Sequence, residues 1–582
     1  MTTTEQPFRQ EAAPGEAVSG REWLVAALAG LGVSLAIIAP FFWLGAPSGH
    51  DFDFHAASWL EVRSQWQAHI GYPRWHASAN HGFGEPRFIF YPPLSWMLGA
   101  ALGFLVHWSA VPGLFVVVVQ TLASVGAFAL ARRWLSFRGA LAAGAFYAAN
   151  PYALLVVYVR SDFAEQLASA LLPLLFACAF DLTAWSRREQ RTKGRIARFA
   201  LLFAAIWLSN APAGVLASYT MSLWIVWVAL VRRNWRVLAD GAAALALGLG
   251  LAAFYLVPAA YEQRWVNISQ VLSRGLQPQE NFLYTTSSDP QHTFFNWMAS
   301  TIAVLLVVLT GATAAAALGR ESRPDAESGP ARRSAFLGLV VLSGAATLLM
   351  LRSSAFAWTL LPKLRFVQFP WRWMLILAVP CAVFVGACGL RRLGPLWVAS
   401  ALALSVLTGV YLGRHTWWEP DEMTAFEAMF ASTGFEGTDE YDPAGDDHDD
   451  LPKAAPHVLI LASEEGGARP AAAVTVLGWE AERKLLRVHA SEPARVALRL
   501  LDYPAWRVEV NGRALLPEHV EGTRQMVVEV PAGVSEIQVQ FRRTADRTIG
   551  GVISLVALFL AATLAVFPLT PGAGDKVYDS SP

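Results

Sequence analysis

The sequence predicts a polytopic α-helical membrane protein of about twelve transmembrane helices, with a β-sandwich near its C-terminus on the outer side. Three observations lead there. The chain is 54% hydrophobic and only 15% charged, more apolar surface than a water-soluble core buries. Apolar stretches of membrane-crossing length recur as far as residue 412 and return once near the C-terminus. Between them the pattern changes from helical period to alternation.

A polar tail, 1–22, precedes the first apolar stretch, 23–43. That stretch is long enough to cross about 30 Å of hydrocarbon at about 1.5 Å per residue and reads as an uncleaved anchor. Further crossings are expected at 113–131, 139–159, 163–185, 196–209, 213–231, 237–257, 297–318, 335–351, 373–390, 395–412 and 549–567, leaving a second tail at 568–582. With the N-terminus inside, the arginine clusters at 132–138, 187–195, 232–236, 332–333 and 391–392 all fall on the cytoplasmic side. The apolar segment 92–108 is not counted as a crossing. Its roughly sixteen residues reach only about 24 Å as a helix, and two prolines stand at its start. It is expected to dip into the outer leaflet or lie along it.

This threading frames a membrane domain at 23–412 with outward loops at 44–112 and 258–296, a shorter one at 352–372, and an outward region at 413–548. The last region alternates at 472–476, 485–489, 496–501, 506–510, 526–530 and 537–541, with an Asn511-Gly512 hairpin turn, and reads as an antiparallel sandwich over 456–548. Formal charge is zero, which favours no nucleic-acid partner, and the bilayer is the main surrounding. Cys178, Cys381 and Cys388 all lie in apolar stretches, against a disulfide framework or thiolate metal site.

Chemistry is expected in the outward loops. His50-Asp51-Phe52-Asp53-Phe54-His55 concentrates acids and imidazoles just beyond the first crossing, and Asp51 and Asp53 together could bind one divalent cation, Mg²⁺ or Mn²⁺, that bridges phosphate oxygens. Trp59, Val62, Trp66 and Ile70 follow at helical spacing, as in an interfacial amphipathic helix. Five of the twelve histidines, His50, His55, His69, His76 and His81, lie in this loop, but without the metalloprotease spacing. Glu85 and Arg87, near a tight turn, could contact a sugar or pair with each other. Asp162 and Glu165 share one face of a helix start, behind Arg160. Gln368 and Arg372, with Lys363 and Arg365 upstream, form a cationic loop end for which a lipid phosphate is an economical partner. Glu262, Arg264 and Arg274 are further candidates. The run 446–450 could bind calcium or simply be solvated.

These residues resemble a known family. His50 to His55, Tyr91-Pro92-Pro93-Leu94, Arg160 with Glu165, Gln368 to Trp373, Gly437-Thr438-Asp439-Glu440-Tyr441 and Tyr503-Pro504-Ala505-Trp506-Arg507 together look like the C-type glycosyltransferase superfamily. The likeness is to bacterial membrane proteins labelled with a 6-pyruvoyl-tetrahydropterin synthase-related domain, similar to lipoteichoic-acid glycosylating proteins. The resemblance implies that Asp51 or Asp53 acts as catalytic base or metal ligand and Asp162 or Glu165 as the second acid. Substrate contacts are expected from His55, Glu85, Arg87, Arg160, Arg264, Gln368 and Arg372. Nothing in the residues speaks for pterin chemistry.

The expected activity is sugar transfer on the outer face of a bacterial inner membrane, from a polyprenyl-phosphate sugar to an envelope glycan, lipid or protein. A carboxylate would deprotonate the acceptor while arginines hold the departing phosphate. A flippase of lipid-linked glycans and a noncatalytic glycan-binding or assembly protein are the rival readings. Transporters usually bury polar groups at mid-membrane, whereas the charges here crowd one interface.

Overall fold

The computed structural model describes residues 18–183, 189–321, 330–388, 394–445, 450–462 and 470–566. Helices of ten residues or more run α1 Gly20–Ile38, α2 Phe52–Gln67, α3 Pro93–Leu102, α4 Val111–Ala131, α5 Phe137–Ala148, α6 Phe163–Thr183, α7 Glu189–Ser209, α8 Ala211–Arg232, α9 Arg236–Leu251, α10 Ala253–Glu262, α11 Pro290–Glu321, α12 Pro330–Met350, α13 Met374–Cys388, α14 Gly394–Gly413, α15 Glu422–Ala431 and α16 Ala545–Val566.

Among the described residues ten stretches are long and apolar enough to cross a membrane, or eleven when α9 and α10, bent by 72°, are taken as one crossing. About twelve are expected from the sequence; α7, which contains 196–209, falls outside this count because Lys193, Arg195 and Arg198 stand in its first half, although it runs the full way from the end of α6 to the start of α8 and packs along α6 and α9. The expected crossing 139–159 is also not one uniform helix. Asn150 accepts hydrogen bonds from the N–H groups of Tyr152 and Ala153, at 3.0 and 3.2 Å, and starts a new short helix at Pro151. That helix widens into a π-helical turn over Val156–Arg160 and stops at Ser161, which is left-handed with φ 50°. The 446–449 part of the acidic run lies outside the described residues, and all three cysteines are free thiols.

The first loop differs most from expectation. Its helix α2 forms, yet it does not lie along a membrane surface with one face wet. Trp59 and Val62 are fully buried, and so are Glu61 and Gln65 on the opposite face. The Glu61 carboxylate is satisfied by Gln65 Nε2 at 2.6 Å, the Ser78 hydroxyl at 2.5 Å and the N–H groups of Ala77 and Ser78. Helix α3 is about 15 Å long and packs on α2, where Gly99 lets the Trp59 indole approach so closely that a Cβ would sit 2.2 Å from it.

The C-terminal strands are β1 Val458–Ile460, β2 Ala472–Glu480, β3 Arg483–Ala490, β4 Ala494–Leu501, β5 Trp506–Val510, β6 Arg513–Leu515, β7 Glu518–His519, β8 Gln525–Val530 and β9 Gly533–Phe541. They make two antiparallel sheets, ordered β1-β4-β8-β7 and β2-β3-β9-β5-β6. Asn511 and Gly512, at φ 51° and 76°, supply the left-handed pair that the β5–β6 hairpin requires.

This sandwich is not a tethered, separate body. Trp75 of the first loop is buried among Tyr503, Trp506 and Phe541, and Phe83, Ile89 and Phe90 join the same apolar core. Arg499 Nε donates to the His81 carbonyl at 2.8 Å and Leu501 N to the Phe83 carbonyl at 3.0 Å. Glu262, fully buried, takes two bonds from Arg547 at 2.6 and 2.7 Å and one from the Tyr503 hydroxyl at 2.6 Å, tying α10, α16 and the sandwich together. Arg547→Leu strands that carboxylate. Thermal unfolding in detergent should show a loss of about 3–5 kcal/mol, largely recovered in Arg547→Leu/Glu262→Gln.

Candidate functional site

Backbone pairing between two distant segments builds the site. The stretch 47–51 runs alongside the end of the π-helical turn: His50 N donates to the Val159 carbonyl at 3.2 Å and Asp51 N to the Arg160 carbonyl at 2.8 Å. The Ser161 hydroxyl donates to the Pro47 carbonyl at 2.8 Å and accepts from Gly49 N at 3.1 Å. Gly49 is required there, because a Cβ would lie 2.5 Å from the Val159 carbonyl oxygen and 2.7 Å from the Arg160 carbonyl carbon. Gly49→Ala must push Asp51 away from Arg160. Because the clash is with backbone, we expect thermal unfolding in detergent to show a loss of about 1–3 kcal/mol.

Asp51 sits at the N-terminus of α2 and its Oδ2 is bonded to Arg160 Nη2. From Arg160 the network runs inward, to Asp162 at 3.2 Å and Glu165 at 3.5 Å. Asp162 caps α6 by accepting from Glu165 N at 2.9 Å. Arg372 closes the far side, with Nε 3.1 Å from Glu165 and Nη2 3.6 Å from Asp162. The Tyr152 hydroxyl donates to the other Glu165 oxygen. Arg160 and Arg372 lie over the rings of Phe369 and Trp371, 4.9–5.6 Å from the centroids. Three carboxylates thus share two guanidinium groups, all but Asp51 fully buried.

Gln368 holds Arg372 in place. Its Oε1 accepts from Arg372 Nη1 at 3.3 Å, its Nε2 donates to the Val271 carbonyl at 2.8 Å, and its backbone is left-handed at φ 65°. A non-glycine residue held there stores strain that its surroundings must impose. Arg372 was expected to await a lipid phosphate; instead its donors go to Glu165, Asp162, Gln368 and the Val367 carbonyl. Lys363 and Arg365 stack on Phe366.

The other candidates separate from this network to different degrees. His55 is fully buried 3.7 Å from Asp162 and lines neither cavity described below. Glu85 and Arg87 pair with each other at 2.5 Å; Glu85 also accepts from Thr438 N, while Arg87 reaches the Thr438 hydroxyl at 2.9 Å and covers the Phe54 ring. Arg264 is corrected: it is exposed, stacked 3.8 Å over Tyr261, and lines neither cavity.

Asp53 lies beside other acids. Burial and the neighbouring Glu419 carboxylate raise it above the usual carboxylate range, and burial beside Glu419 and Asp53 pushes Glu422 up to about 7. Asp51 is bonded to Arg160 while Asp53 lies near Glu419 and Glu422, and both line the first cavity described below. Among the described residues no three His, Cys, Asp or Glu side chains converge on a metal position.

Two cavities meet at Asp51. The first, about 780 Å³, extends towards the sandwich side and is walled by Asp53, Arg87, Tyr91, Asn210, Thr438 and Glu440. The second, about 760 Å³, opens between the start of α11 and the stretch that follows α14 and is walled by Arg274, His292, Phe294, Trp371, His415 and Trp417. His50, Asp51 and Arg160 line both. His50 packs against Phe295 and Trp417. Burial, with the Arg160 charge, lowers it from its ordinary range, so its imidazole is neutral at pH 7.

The family model of the 6-pyruvoyl-tetrahydropterin synthase related domain, a membrane protein, matches residues 88–416, more than half of the chain. The chain belongs to this family. The match to the 6-pyruvoyl-tetrahydropterin synthase-related domain takes in Arg160, Asp162, Glu165 and Arg372, and leaves Asp51 and the sandwich outside. No curated protein matches the chain. Among solved structures, the arabinofuranosyltransferase AftD from Mycobacteria is similar at 16% identity and a TM-score of 0.41, covering 70% of this chain. The family member spans only 28% of the AftD chain. ArnT from Cupriavidus metallidurans, bound to undecaprenyl phosphate, is similar at 14% identity and a TM-score of 0.30, covering 64% of this chain and 78% of ArnT.

Several residues of the site carried no separate signal in the sequence. Tyr152 lay inside an apparently continuous crossing, although Asn150-Pro151 before it is a helix-start pair. Glu419 and Glu422 read as ordinary acids of a long outward region. Nothing in the spacing linked His292 and His415 to the first loop.

Proposed function

We propose that this protein is a membrane glycosyltransferase that moves a sugar from a polyprenyl-phosphate donor to a hydroxyl of a cell-envelope acceptor, on the outer face of the bacterial inner membrane. The observation that carries this reading is the position of Asp51, on the wall common to two cavities each large enough for a substrate.

The second cavity suits the donor. Phe294 and Trp417 on its wall are half exposed at the surface of the helical bundle, a surface a polyprenyl chain can lie against, and Arg160 and Arg274 are there for the phosphate. The first cavity suits the acceptor, because its polar wall offers both donors and acceptors to a polyhydroxylated molecule. At the junction the Asp51 carboxylate takes the proton of the acceptor hydroxyl as that oxygen bonds to the anomeric carbon. The bond from that carbon to the phosphate oxygen breaks, and the electron pair stays on the phosphate, whose charge Arg160 balances. Neutral His50 can hold a sugar hydroxyl without adding charge. Asp162, Glu165 and Arg372 position Arg160 and touch no reacting atom.

The experiment is transfer by the purified protein in liposomes loaded with polyprenyl phosphates carrying radiolabelled pentoses or hexoses. Label leaving the lipid for an added envelope acceptor supports the proposal. Label crossing the bilayer still attached to lipid supports a flippase, and lipid binding without either overturns both. No step uses a bound cation, so treatment with excess EDTA should leave the transfer rate within about twofold, well inside one decade of rate. A complete loss, restored by Mg²⁺ or Mn²⁺, would overturn that cation-free step.

A further inference from the structure

A third cavity, of about 400 Å³, lies between the first loop and the sandwich and shares no lining residue with the two described above. We propose that it is a saccharide-binding site, holding a segment of glycan away from the site of transfer.

The polar wall is already organised. Gln65 is buried, and its Nε2 donates to Glu61 Oε1 at 2.6 Å and to the Trp75 carbonyl at 2.7 Å. Both partners are acceptors, so the amide cannot be turned over, and Oε1 is left as a buried acceptor with no donor in the protein. Lys484, equally buried, donates two of its three N–H bonds, to the carbonyls of Glu480 and Ala481. Arg499 uses Nε and Nη2 on the His81 carbonyl. All three residues line the cavity, and Lys484 and Arg499 each have N–H groups beyond those bonds.

Beside them is an aromatic ledge. Trp479 and His457 stack with centroids 4.5 Å apart at 27°, and His457 is exposed on its outer side. N–H donors of Lys484 and Arg499 and the carboxylates of Glu61 and Glu480 around one space, next to a flat ring, match a pyranose or furanose: its hydroxyls both give and take hydrogen bonds, and its C–H face lies against rings. An apolar ligand would leave the Lys484 amine and the Arg499 guanidinium unmatched. A phosphate would meet the carboxylates of Glu61 and Glu480 on the same wall.

The site's test does not require that transfer occur. The full-length protein in nanodiscs is titrated with fluorescein-labelled trisaccharides, one set neutral with gluco, galacto and arabino configurations and one set of uronic acids. We expect saturable binding at a dissociation constant of about 0.1–1 mM. His457→Ala, on the exposed ledge, and Gln65→Leu should each weaken it about tenfold or more; His457→Ala keeps the wild-type unfolding temperature and the wild-type transfer rate on a monosaccharide acceptor, whereas Gln65→Leu, which also takes a donor from the Glu61 carboxylate and the Trp75 carbonyl, lowers the unfolding temperature. If no trisaccharide binds saturably, or if both variants bind like wild type, the proposal is overturned. A protein that binds these probes but transfers no sugar retains this site and loses the transferase reading.

Discussion

Asp51→Asn is expected to lower the turnover of sugar transfer by about 10²–10⁴-fold, the usual contribution of a positioned general base, with the KM for the lipid donor little changed. The substitution keeps the shape and a hydrogen-bond acceptor for Arg160, so the pairing of 47–51 with the π-helical turn survives. What it removes is the basic oxygen at the junction of the two cavities. Asp53→Asn should fall by less than about tenfold, because Asp53 faces Glu419 and Glu422 and lines the first cavity alone. If Asp51→Asn and Asp53→Asn, singly and together, leave transfer from labelled polyprenyl-phosphate sugar untouched, neither acid is the base.

Arg372→Met tests the inner half of the network, where the expected effect is on stability as much as on rate. Glu165 and Asp162 lose one of the two guanidinium groups they share, in a fully buried place. Removing one partner of such a pair destabilises by about 3–5 kcal/mol, since the remaining charge is left without compensation. Adding Glu165→Gln should recover a large part of the lost unfolding temperature, as a double-mutant cycle on contacting residues measures. If the double variant is no more stable than Arg372→Met, the two side chains do not act as a unit.

The architecture was legible because its signals are long and redundant. An apolar run near 412 or alternation near 537 repeats the same message over many residues, and Asn511-Gly512 marks its hairpin by local chemistry alone. Charge along a helix is harder to weigh: α7 carries Lys193, Arg195 and Arg198 in its first half and still runs from the end of α6 to Asn210 on the wall of the first cavity. The site was legible as a set of residues and not as an arrangement. Asp51, Arg160, Asp162, Glu165, Gln368 and Arg372 all stand out in sequence and do come together. The different partners of Asp51 and Asp53 follow from where α2 begins, with Asp51 at its N-cap and Asp53 in its first turn. Glu61 and Gln65 looked like the wet face of an amphipathic helix because their buried partners, Trp75 to Ser78, are supplied by a later turn with no pattern of its own. Arg264 had a charge and a loop to recommend it, and stacking on Tyr261 removes it from the cavities.

The Trp75 wedge in the sandwich core also sets a timetable for biogenesis. Its partners Tyr503, Trp506 and Phe541 leave the ribosome more than 400 residues after it. At about 5–20 residues per second, translation keeps that indole waiting for roughly 20–90 s. During that interval the loop has inserted beside its first helix without the surface that will cover it. Nascent chains arrested before residue 500 should therefore expose the first loop to protease and to hydrophobic dyes, and chains released past 541 should not.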